Sequence, residues 1–135
     1  MPEDPGLNAL VDAALGIGGI ASAALFALPP GSSTLELAAA AGIEGPALDG
    51  LVAAVRNPEH PVARSLTADG PIFDVRPTAP GGPALRSHLP VRDGADGRPV
   101  GVLAVAHDVP LSEPDRAALV DLASAAAVEL ARSAG

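Results

Sequence analysis

The chain contains no cysteine, no lysine, no tryptophan and no tyrosine, and Phe26 and Phe73 are its two aromatic residues. Each absence closes a class of chemistry. Without cysteine there is no disulfide, no thiolate nucleophile, no Cys-based zinc site and no thioether-linked chromophore. Without lysine there is no Schiff base and no phosphate-binding lysine of a P-loop. All 8 basic residues are arginine and stand against 16 acidic ones, for a net charge of −8. An acidic surface with no basic stripe argues against nucleic acid and against anionic membranes as partners. The start, Met-Pro-Glu-Asp, lacks the basic n-region of a signal peptide, and the expected location is cytoplasmic.

What is present is globular in character. Apolar residues make up 48% of the 135 and charged ones 18%, enough for one domain with a real core. We expect a disordered N-terminus over residues 1–6 and a single domain over 7–133. With so few aromatics, alanine, leucine and valine must fill the core, so its elements should approach closely. Ala9–Leu28 is largely apolar, but Gly16, Gly18 and Gly19 break it and Asp12 sits inside it. It reads as a buried helix followed by a buried strand rather than a membrane span.

The apolar spacing of Leu7, Leu10, Val11 and Leu15 predicts a first helix ending at Gly16. Ile20–Leu28 reads as a central strand buried on both faces, and Thr34–Ala41 as its hairpin partner. Leu48–Arg56 reads as a helix, and His60–Asp69 as a short one opened by Pro61. Pro71–Val75 is a short strand, and Arg76–Pro83 a loop rich in proline and glycine. Ala84–Val91 and Pro99–His107 are strands joined through Asp93-Gly94-Ala95-Asp96-Gly97, whose aspartates suit turn geometry. A helix over Ser112–Ser133 closes the chain, with Ser112 three residues before Asp115 as a capping pair. Its core stripe is Leu119, Leu122, Ala123, Ala126 and Leu130. A second stripe of small apolar residues, Ala117, Val120, Ala127, Val128 and Ala131, suggests that another helix packs there, from this chain or from a second copy.

That order, with these local sequences, resembles a GAF domain. The resemblance is carried by Ala21–Leu28, Leu37–Ile43, Leu85–Val91, Gly101–Val105 and Asp115–Leu119. It implies an α/β (α+β) fold with a five-stranded antiparallel sheet in the order 2-1-5-4-3. The terminal helices would lie on one face, with short helices, loops and a ligand pocket on the other. It also implies a sensory module that binds a small molecule, dimerises through its terminal helices and signals to an output domain. The chain departs from several subgroups. It has no lysine for the Asn-Lys-Phe-Asp-Glu signature of the cyclic-nucleotide binders. It has no cysteine for bilin attachment or methionine-sulfoxide reduction. No cofactor is identified by any motif.

Several constellations invite chemistry. Gly16-Ile17-Gly18-Gly19-Ile20-Ala21 fits GxGxxA, with Glu36 beyond it, but the glycines follow a helix and precede a strand, the reverse of a dinucleotide site. With Ala95 as the hairpin midpoint, His88 faces Val102 and Arg86 faces Ala104 on one side of the sheet. His107 then falls on the other side with Ser87 and Leu103, so the histidines do not converge and no metal site is expected. Arg86 and His88 share an interior face and need partners. They could bind a ligand anion together with Arg64 and Asp74. Alternatively, Arg86 pairs with Asp74 and backbone caps His88. No serine lies in a nucleophile elbow.

The expected function is a non-enzymatic regulatory module, homodimeric, binding a small molecule or a signalling protein. A roadblock-like interaction scaffold without a pocket is the alternative, although roadblock domains carry one helix where Leu48–Asp69 holds two. An enzyme working through Arg86, His88 and an acid is the third.

Overall fold

A computed structural model describes residues 5–76 and 83–134. Of the disorder expected over residues 1–6, residues 1–4 lie outside the described residues, whereas Pro5 and Gly6 begin a helix; of the loop expected over 76–83, residues 77–82 lie outside them. Helix α1 (Pro5–Leu15) begins two residues earlier than the leucine spacing predicts. It turns Leu7, Val11 and Ala14 inward. The glycine-rich segment after it leads into strand β1 (Ile20–Ala27), so the GxGxxA stretch joins a helix to a strand. Strand β2 (Glu36–Ala41), helix α2 (Gly45–Ala54), helix α3 (Pro61–Ser65) and strand β3 (Ile72–Val75) follow. Strands β4 (Leu85–Arg92) and β5 (Pro99–His107) and helix α4 (Glu113–Ala134) complete the order. The strands form one antiparallel sheet in the order β2-β1-β5-β4-β3, as the resemblance implies.

The sheet separates two cores. On one side α1 and α4 cover Leu25, Leu89, Leu103 and Val105 with Leu7, Val11 and Leu119. On the other side Val55 and Val62 from the α2–α3 segment, with Leu35, cover Ala24, Phe26, Val102 and Ala104. Proline near the N-terminus opens both α2 and α3, where its missing N–H is not needed. The two layers are unequal. Helix α2 contains no fully buried residue, and α3 contributes two, Val62 and Ser65.

Close approach inside the sheet depends on Gly101 in β5. A Cβ there would collide with the Phe26 carbonyl oxygen of β1 and abut Leu130 of α4 at 3.1 Å. The missing side chain lets strand, strand and helix meet at one point.

The β4–β5 register differs from expectation by two residues. His88 lies opposite Ala104 rather than Val102, and Arg86 opposite Ala106 rather than Ala104. The turn is longer than its glycines suggest. The Asp93 N–H donates to the Arg98 carbonyl at 2.8 Å, with aspartate side chains accepting from the Ala95 and Arg98 N–H groups inside it. A bulge between Val91 and Arg92 absorbs the remaining offset. A shift of two preserves the alternation, so each residue keeps its expected face.

Candidate functional site

Strand alternation sends Ser87 and His107 toward the α1/α4 side, where both are fully buried. The His107 Nδ1 lies 2.8 Å from the Val109 carbonyl, which can only accept, so Nδ1 carries the proton. Its Nε2 then accepts from the Ser87 hydroxyl at 2.8 Å. The same hydroxyl oxygen accepts the Asp74 backbone N–H at 3.1 Å. Asp74 has a left-handed backbone, with φ of 59°, which costs strain at a non-glycine residue. That conformation aims its carboxylate at α4. One oxygen accepts the Leu111 N–H at 3.1 Å, and the other binds Arg116 at 2.6 Å. The Arg116 guanidinium also lies over the Phe73 ring, 4.8 Å from its centroid.

Burial raises the Asp74 pKa, but the Leu111 N–H and Arg116, with His107 nearby, outweigh it and hold the carboxyl below its ordinary value. The serine–histidine pair has the spacing of a nucleophile and its base. It has no access to substrate, and every one of its polar atoms is already engaged. This cluster fastens β3, β4 and β5 to the start of α4.

On the opposite face, His88 is 4% exposed and its ring has no hydrogen-bond partner among the described residues. Burial, then the nearness of His60 and Arg86, lowers its pKa to about 4. The ring is therefore neutral at physiological pH. Arg86 reaches the Pro83 and Leu85 carbonyls at 2.5 and 3.2 Å. Neither partner expected in the purely structural alternative is found: Asp74 binds Arg116 instead, and no backbone group caps His88. Of the four residues expected to hold a ligand, Arg86, His88 and Arg64 belong to the α2–α3 side, and Asp74 belongs to the other.

On that side a cleft of about 530 Å³ opens between the β1–β2 loop and the α2–α3 segment. Ser33, Thr34 and Leu35 form one wall, and Val55, Arg56, Ala63, Arg64, Leu66 and Thr67 are among those forming the other. His60 holds the α3 wall in place, its Nδ1 accepting the Val62 N–H at 3.2 Å as an N-cap. Burial lowers the His60 pKa, which favours the lone pair that the cap requires. Arg64 was foreseeable from its place on this helix. Arg56, Ser33 and Thr34 were not, because a cleft formed by two loops leaves no periodic trace.

The second stripe of α4 divides in two. Val120 and Val128 are 41% and 59% exposed, and Ala117 and Ala131 are exposed as well. Ala127 is instead buried in the core beside Ala126 and Leu130, which corrects its expected place in an interface. Among the described residues no group of three or more histidine, aspartate or glutamate side chains could hold a metal. No described helix is long and apolar enough to cross a membrane.

No protein-family model and no curated protein sequence matches the chain. Solved structures do. The GAF-B domain of DevS from Mycobacterium smegmatis is similar with a TM-score of 0.71 at 19% identity, over 95% of this chain and 92% of that one. The GAF domain of a phosphoenolpyruvate-protein phosphotransferase from Acinetobacter gives 0.66 at 17%, over 94% and 79%. A type II free methionine-R-sulfoxide reductase from Thermoplasma acidophilum gives 0.70 at 16%, over 94% and 92%. The chain has the GAF fold.

Proposed function

We propose that this chain is a non-enzymatic, cytoplasmic regulatory module of GAF type that binds a small molecule in the cleft beside α3. It acts as a homodimer through the exposed part of α4 and signals to a protein partner. The cleft carries this reading. The α2–α3 core fills the rest of that face with Phe26, Val55, Val62 and Val102, yet leaves a concave space of ligand size at its rim. The reductase among the similar structures raises the possibility of catalysis on this fold. The absence of cysteine removes thiolate chemistry here, and the Ser87–His107 pair is sealed from solvent. The two helices between β2 and β3 speak against the roadblock-type scaffold.

Native and denaturing mass spectra of the freshly purified protein test the reading. A dimer with excess mass that is lost on denaturation is the expected result. A bare chain that also shows no amide shifts at Ser33–Leu35 or Val55–Thr67 against a mixed metabolite library would refute ligand binding.

A further inference from the structure

Resting on the cleft as a ligand site, the sorting of the arginines identifies what kind of ligand it takes. Of the eight arginines, five are engaged elsewhere, and Arg76 is exposed beyond the end of β3, outside the cleft lining. Arg86 binds the Pro83 and Leu85 carbonyls, and Arg92 binds the Ala68 carbonyl. Arg98 lies 3.9 Å from Asp93, Arg116 binds Asp74, and Arg132 lies 3.5 Å from Glu129. The side chains of Arg56 and Arg64 have neither a hydrogen bond nor an ion pair among the described residues, and both line the cleft. No aspartate or glutamate shares that lining, although the chain carries 16 of them. Two guanidiniums are left open at one concave place, alongside the hydroxyl-bearing Ser33, Thr34 and Thr67.

We infer that the cleft binds a small organic anion, a carboxylate or phosphate-monoester head on a short apolar body. Arg56 and Arg64 are the donors, each able to offer a planar fork of N–H groups to the head. Both arginines are exposed, and an exposed ion pair alone contributes little. The apolar lining supplies the remainder: Leu35, Val55, Ala63 and Leu66 give the ligand body a surface to cover. The division of labour predicts selectivity on both counts. A bare inorganic anion lacks the body, and a neutral amide of the same length lacks the head.

The test is titration of the full chain with hexanoate, hexyl phosphate, hexanamide and inorganic phosphate, followed by amide chemical shifts. Hexanoate or hexyl phosphate should shift Ser33–Leu35 and Val55–Thr67, and which of the two binds tighter names the head group. Hexanamide and inorganic phosphate should each bind at least tenfold more weakly. Arg56→Met and Arg64→Met, both at exposed positions, should each weaken the anion severalfold and leave hexanamide unaffected. Equal binding of hexanamide at the same amides would overturn the anion inference while sparing the cleft as a ligand site. Tighter binding of inorganic phosphate would overturn the organic body. No shift at these amides with any of the four overturns the inference. If the mixed library also fails there, the ligand reading falls with it.

Discussion

Ser87 Oγ and His107 Nε2 lie 2.8 Å apart in the interior of the helix-covered side of the sheet, two strands joined through side chains as well as backbone. Ser87 serves both His107 and the Asp74 N–H, so its removal leaves the buried His107 ring and the part-buried Asp74 N–H without that partner. Ser87→Ala should cost about 1–3 kcal/mol in urea unfolding. Combined with His107→Leu, the loss should fall short of the sum of the two single losses, because the pair shares one bond. Strict additivity would show that the bond contributes nothing.

Arg116 is the arm by which α4 holds β3. Arg116→Met keeps an apolar stem over Phe73 and removes the guanidinium from Asp74. The expected loss is about 1 kcal/mol, because the arginine is partly solvated. The acid limb should change as well. A carboxyl held below its ordinary value contributes stability above about pH 4 that disappears as the pH falls through its folded value. Unfolding midpoints between pH 5 and pH 2, as measured conditions, should therefore fall less steeply in the variant. An identical acid limb would remove Asp74 from the account.

His88 makes the fold acid-sensitive at a higher pH. Its folded pKa of about 4 lies below the ordinary 6.5, so the unfolded chain takes up the proton first. Stability is complete above about pH 6.5 and declines by roughly 3 kcal/mol as the pH falls toward 4. His60 titrates in the same direction, since its pKa is also lowered. Between pH 7 and pH 5, most carboxylates stay charged, so His88→Leu should flatten the midpoint curve there and His60→Ala should flatten it further. A wild-type curve already flat in that window would contradict the burial of His88.

The two halves of the α4 stripe should respond differently to the same charge. Val120→Glu with Val128→Glu adds carboxylates at exposed positions and should yield folded monomers by light scattering. Ala127→Glu buries a carboxylate in the core and should lower the unfolding midpoint sharply instead. A dimer that survives the double substitution would move the interface away from this face.

Much of the architecture was legible because period and punctuation agreed. The apolar run of β1, the two strands either side of the Asp93–Gly97 turn and the Ser112-capped helix are each predicted, and each is observed. Face assignment survived a register error because the error was even. The site was less legible. Ser87 and His107 fall on one face by parity alone, yet nothing in the sequence announces that Asp74 adopts a left-handed backbone and turns its carboxylate from Arg86 to Arg116. Ala127 is separated from the exposed stripe by a small rotation of α4, below the resolution of a helical wheel built from alanines. The cleft arises from two loops whose approach is set by packing, so Arg64 was visible without its partner Arg56.

The thin cover over the cleft side has a kinetic meaning. Helix α2 buries no residue completely, and α3 is five residues long, so this layer surrenders little apolar contact when it lifts. The α1/α4 layer, in contrast, shares its core with four of the strands. Amides of residues 45–65 should exchange with solvent through local opening, long before those of β1, β5 and α4. A molecule could then enter and leave by way of a partly unfolded lid while the sheet and the long helix remain intact.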